Sequence, residues 1–90
     1  MPTECGTAIR KGKSYSQNAE IVDLLLASGA IIMGKTATSE LAYLGPSKTT
    51  NPHDHSRTPG GSSSGSAASV ASFMAPISIG SQTGGSVIRP

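Results

Sequence analysis

Apolar side chains fall into two blocks, residues 21–33 and 67–79, separated by a polar tract over residues 47–66 that carries no aliphatic or aromatic side chain. In the first block Ile21, Val22, Leu25 and Leu26 recur at i, i+4 spacing and predict a helix. Asn18 is its expected cap, Glu20 lies in the electropositive first turn, and Gly29 is its expected stop. Ala30-Ile31-Ile32-Met33, closed by Gly34, reads as a short buried strand, and Ser39-Glu40-Leu41-Ala42 adds one helical turn. Inside a compact domain, a structureless loop as long as the polar tract needs a functional reason. Its last part, Gly60-Gly61-Ser62-Ser63-Ser64-Gly65-Ser66, leads into good helix formers from Ala67 to Met74 that stop at Pro76. Ile77-Ser78-Ile79 then alternates like a strand and runs into a second Gly/Ser turn, Gly80 to Ser86. Strand, loop, helix, strand is the order of an α/β layer, so the expected fold is a mixed sheet flanked by helices.

Composition narrows this picture. With 90 residues, one domain over residues 1–90 is the upper limit. Leu, Ile, Val and Phe make up fewer than one residue in five and tryptophan is absent, so a self-sufficient core is not expected. No apolar run approaches the ~18 residues of a spanning helix, and Met1-Pro2-Thr3-Glu4 lacks the charged start of a secretory signal. A lone Cys5 forms no internal disulfide, and the expected setting is cytoplasmic and reducing, with no membrane partner. The net charge is +2, with basic residues scattered apart from Arg10-Lys11-Gly12-Lys13 and no aromatics interleaved for base stacking, so no nucleic-acid partner is expected.

Turns rich in Gly and Ser expose backbone N–H groups to anions or to developing negative charge, and several chemistries use them. A phosphate loop fails because no Lys follows Gly65, and a dinucleotide loop fails because Ser62 replaces its second glycine. Gly61-Ser62-Ser63-Ser64-Gly65 fits G-x-S-x-G, but Arg57-Thr58-Pro59-Gly60 precedes it where a nucleophile elbow needs a strand. No Lys has a Ser three residues earlier, which removes the S-x-x-K arrangement. His53-Asp54-His55 follows a turn-forming Asn51-Pro52 and has no third ligand at a recognisable spacing, so no metal is expected, and no other cofactor is implied.

The remaining feature is the run Thr58-Pro59-Gly60-Gly61-Ser62-Ser63-Ser64-Gly65-Ser66-Ala67-Ala68 followed by Gly80-Ser81-Gln82-Thr83-Gly84-Gly85-Ser86-Val87-Ile88-Arg89-Pro90. Together with Gly29 to Thr36, Ser39 to Ala42 and Asn51-Pro52, it resembles the amidase signature family over nearly the whole chain. The resemblance implies a serine acyl-enzyme hydrolysing a small carboxylic amide, with Ser86 as nucleophile and Ser62 as a bridging serine preceded by a cis peptide bond. The N–H groups of Thr83, Gly84, Gly85 and Ser86 match the family's oxyanion hole. Arg89, Ser63 and Gln82 are expected to bind substrate, Arg89 by clamping a carboxylate. Gln82 stands where many members carry Asp, and Gln82 with Val87-Ile88-Arg89 resembles a branch acting on small amides.

The family's catalytic lysine belongs to a Lys-Asp motif that this sequence lacks, and Lys35 falls in a different Gly-Lys-Thr segment. The chain is therefore expected to be part of a larger amidase, inactive alone, with the remainder of that chain as its partner; the resemblance also admits a homodimeric parent. Two alternatives stand beside this: the glutamine-hydrolysing component of a tRNA-dependent amidotransferase, and a noncatalytic Ser/Gly-rich interaction module.

Overall fold

A computed structural model describes residues 1–43 and 45–90. Two α-helices organise the chain, α1 over Glu20–Ala27 and α2 over Ser64–Ala71, with single 3-10 turns at Ala8–Arg10 and Glu40–Ala42. α1 ends as its sequence predicts. Gly29 has φ +86°, its N–H donates to the Leu26 carbonyl at 3.0 Å, and the Ala30 N–H reaches back to Leu25 at 3.0 Å. These two bonds form a Schellman closure, which satisfies carbonyls that the last helical turn leaves open. Its start differs from expectation. Ala19 is the N-cap, while Asn18 spends its side-chain amide on Asp23 at 2.8 Å.

α2 begins inside the serine run, at Ser64, three residues before the alanines that predict it, and it ends at Ala71. The same closure recurs there with an unfavourable residue. The Phe73 N–H bonds Val70 at 3.0 Å and the Met74 N–H bonds Ser69 at 2.9 Å, which forces Phe73 to φ +59°. A bulky L-residue in the left-handed region crowds its own Cβ, and the Phe73 ring, 96% exposed, gains no packing in return.

The expected mixed sheet is not formed: no strand occurs among the described residues. Residues 30–33 and 77–79 join no ladder among the described residues: apart from the Ala30 N–H that closes α1, none of their backbone groups bonds another backbone group. A strand exists only when a second backbone completes its ladder. What meets the start of α2 instead is Ala37, beyond the first of these segments, and Ile79, at the end of the second. The Ala37 carbonyl accepts the Gly65 N–H at 3.0 Å, and the Ile79 carbonyl accepts the Ser66 hydroxyl at 2.6 Å. Ile31 and Ile77 therefore stay exposed.

No hydrophobic side chain among the described residues is buried. The centre is polar, made of Ser39, Ser62, Ser63, Ser64, Ser66 and Ser86. No helix among the described residues is long and apolar enough to cross a membrane.

Replacing Phe73 by Gly relieves the left-handed strain and is expected to stabilise the chain by about 1 kcal/mol. A thermal melt followed by far-ultraviolet circular dichroism checks this, and an unchanged or lower midpoint contradicts it.

Candidate active site

Glycines set the site's geometry by permitting backbones to meet. A Cβ on Gly65 would lie 2.5 Å from the Ala37 carbonyl oxygen, so only glycine lets α2 start against residues 36–39. Gly61 has φ +64°, and a Cβ there would lie 2.5 Å from the Ser86 carbonyl oxygen and 2.7 Å from Pro90 Cδ. The Gly/Ser turn before α2 is thereby pressed onto the turn that carries Ser86. Two backbone bonds fix the approach: Ser63 N–H to the Ser86 carbonyl at 3.1 Å, and Ser39 N–H to the Ser62 carbonyl at 3.0 Å.

The approach brings together the two serines that the motifs single out. The Ser62 hydroxyl donates to Ser86 Oγ across 24 residues of sequence, with Ser62 5% and Ser86 9% exposed. All peptide bonds among the described residues are trans, including that before Ser62, against the expectation of a cis bond there.

Of the N–H groups expected to line an oxyanion hole, those of Thr83, Gly84, Gly85 and Ser86 donate to no group among the described residues. The next three amides are all engaged. Val87 and Ile88 both donate to Gln82 Oε1 at 3.0 Å, and Arg89 donates to the Gly85 carbonyl at 3.1 Å.

The three residues expected to bind substrate hold scaffold contacts. Ser63 Oγ donates to the Ser81 carbonyl at 3.1 Å and accepts the Ser81 N–H at 3.0 Å. Gln82 closes the turn, and Arg89 Nε reaches the Gly85 carbonyl at 3.4 Å. Arg89 also borders a cavity of about 180 Å³ whose other walls include Tyr43, Thr58, Pro59 and Ser64. Sequence reasoning missed the bracing by Ser63 and Gln82, for which the only available signal was that each adjoins a Gly/Ser turn.

Lys35 is elsewhere. Its ammonium donates to the Met1 carbonyl at 3.4 Å, to the Pro2 carbonyl at 3.2 Å and to Thr3 Oγ1, which anchors the first residues of the chain. At His53-Asp54-His55, Asp54 accepts from the Ser56 hydroxyl at 2.6 Å, the Ser56 N–H at 3.0 Å and Arg57 Nε at 2.8 Å. Ser56 first and Arg57 second hold its carboxyl below the ordinary carboxylate value. Cys5 is half-buried and unpaired.

A family model described as Amidase matches residues 1–90. The chain belongs to the amidase family. The A subunit of the glutamyl-tRNA(Gln) amidotransferase of Methanosarcina acetivorans is 46% identical over the whole chain, which covers 20% of that relative. Its counterpart of the same name from Halobacterium salinarum is also 46% identical over the whole chain, which covers 23% of it. The one from Lactiplantibacillus plantarum is 52% identical over 81% of the chain, covering 16% of the relative. This amidase-family chain thus spans about a fifth of the length of these relatives.

The names of these relatives correct the expectation that no nucleic acid is involved, since they describe an amidotransferase of glutamyl-tRNA and one component of an assembly. Scattered basic residues and scarce aromatics describe one chain's own surface. They carry no information about a tRNA engaged through other segments or other polypeptides.

Gly61→Ala is expected to push the Ser86 turn away and to speed hydrogen exchange at the Ser63 amide at least ~10-fold, whereas Gly34→Ala, whose added Cβ would meet nothing within 4 Å, leaves that amide unchanged. Amide exchange followed by nuclear magnetic resonance reads both, and equal exchange in the two variants contradicts the close approach.

Proposed function

We propose that this chain carries the nucleophile and the proton-relay serine of an enzyme that hydrolyses a small carboxylic amide through a serine acyl-enzyme. The observation that carries the reading is the buried hydrogen bond between Ser62 and Ser86. A serine hydroxyl is a weak nucleophile until a base takes its proton. Hydroxyl hydrogens rotate. With a neutral lysine beside it, Ser62 donates to that lysine and accepts from Ser86.

In the reaction, Ser86 Oγ attacks the amide carbonyl carbon while its proton passes to Ser62, whose own proton passes to the lysine. The free N–H groups around Gly84 and Gly85 support a role in meeting the negative oxygen of the tetrahedral intermediate. The C–N bond breaks as the leaving nitrogen takes a proton, and ammonia or an amine departs. Water then attacks the acyl-enzyme, releases the acid and restores the Ser86 hydroxyl. The lysine is supplied by a Lys-Asp motif outside this segment, because Lys35 is committed to Met1, Pro2 and Thr3. The segment then works as part of a larger enzyme in a reducing, cytoplasmic setting.

Two small carboxamides compete as substrate. Glutamine is favoured by the names of the relatives, which cover the whole chain at nearly one identical residue in two, and it is our reading. Its ammonia would then serve the amidation that those names describe. A simpler aliphatic amide is the second reading. It is favoured by Gln82 together with Val87-Ile88-Arg89, a form that resembles a branch acting on small amides.

In the complete enzyme, a fluorophosphonate probe is expected to label Ser86. Ser86→Ala abolishes labelling, Ser62→Ala slows it by about 100-fold or more, and Lys35→Ala changes it little. Labelling that survives Ser86→Ala overturns the nucleophile assignment. Ammonia release from glutamine is expected to exceed that from a short aliphatic amide and to rise when glutamyl-tRNA and partner polypeptides are added. Faster release from the aliphatic amide, indifferent to added tRNA, selects the second substrate.

A further inference from the structure

We propose that Gln82 is a positioning residue, whose side-chain carbonyl holds the nucleophile turn open by gathering the two amides that follow Ser86. Gln82 Oε1 accepts from Val87 N–H and from Ile88 N–H, both at 3.0 Å. The Arg89 N–H is taken by the Gly85 carbonyl at 3.1 Å. Three successive amides after the nucleophile are thus turned toward acceptors within the loop. Each such bond fixes the plane of one peptide, and residues 83–86 must close between Gln82 and that fixed end, which narrows the φ and ψ open to their own planes. The N–H groups of Thr83, Gly84, Gly85 and Ser86 therefore meet no acceptor among the described residues, although Gly84 and Gly85 could by themselves turn those planes many ways.

The other end of the turn is braced independently. Ser63 Oγ exchanges two hydrogen bonds with Ser81, and the Ser63 N–H holds the Ser86 carbonyl. Gln82 thus sits between an anchored residue and the amides it gathers. It acts on the oxyanion donors through the backbone and does not itself touch the reacting atoms.

This inference rests on the reading of Ser86 as nucleophile, and the test separates the two. In the complete enzyme, Gln82→Met keeps the side chain's length and removes the oxygen acceptor, whereas Gln82→Glu keeps an oxygen at the same reach. Loss of preorganised oxyanion donors lowers kcat, so Gln82→Met is expected to lose about 30- to 100-fold in kcat with KM changed less than about threefold. Gln82→Glu is expected to recover at least about a tenth of the wild-type kcat, since a carboxylate oxygen accepts both amides. Hydrogen exchange in the same variants gives a readout apart from turnover. The Val87 and Ile88 amides are protected in wild type and in Gln82→Glu, and exposed in Gln82→Met.

Wild-type kcat in Gln82→Met, or an equal fall in Gln82→Glu and Gln82→Met, overturns the role of Gln82. So does unchanged protection of both amides in Gln82→Met. Failure of the wild-type enzyme to be labelled at Ser86 overturns the nucleophile reading instead, and the exchange measurement still decides whether Gln82 gathers the turn.

Discussion

A hydroxyl taken out of water must find a partner, and this constraint organises the molecule. Burying an unpaired hydroxyl costs on the order of 1–3 kcal/mol, so a centre built from serines is stable only if each one is engaged. Ser64 shares a hydrogen with Ser47 at 2.6 Å, Ser66 bridges Thr36 and Ile79, Ser63 grips Ser81, and Ser62 meets Ser86. The ties reach three different stretches of chain. The serines around the start of α2 therefore act as a hub onto which residues 36–39, 47–49 and 79–86 are fastened. The Ser62–Ser86 pairing is one spoke of that hub.

Such a hub has a different character from an apolar core. Dispersion and desolvation tolerate small slides between side chains, whereas a hydrogen bond weakens steeply with angle and distance. The site gains directional placement from this, while the chain forgoes the larger stabilisation of buried aliphatic groups. Ile9, Ile31, Phe73 and Ile88 lie exposed.

Legibility in the sequence divided along the range of the forces involved. The stop of α1 at Gly29 and the helix after the Gly/Ser tract depend on neighbours a few residues apart, and both were readable. The meeting of Ser62 and Ser86 was readable only through the resemblance of two turns to a family motif. Ile31 and Ile77 were misread as strand residues because an alternating or apolar run says nothing about whether a second backbone lies alongside. Asn18 was misread as a cap because its amide had a competing acceptor, Asp23, one helical turn further on. Ser63 and Gln82 carry side chains suited to binding substrate, and only the folded loop shows them turned toward backbone.

The ties that seat Ser86 are hydroxyls and amides, and none of these groups gains or loses a proton between mild acid and mild alkali. A nucleophile poised by histidine and aspartate is rearranged when the imidazole charges, because the same group both positions and accepts. In the proposed mechanism the two duties are divided: placement belongs to groups that do not titrate, and final proton acceptance to an amine. The seat of Ser86 keeps one shape through a wide swing in acidity. The pH profile of the proposed reaction then reports the titration of that one amine.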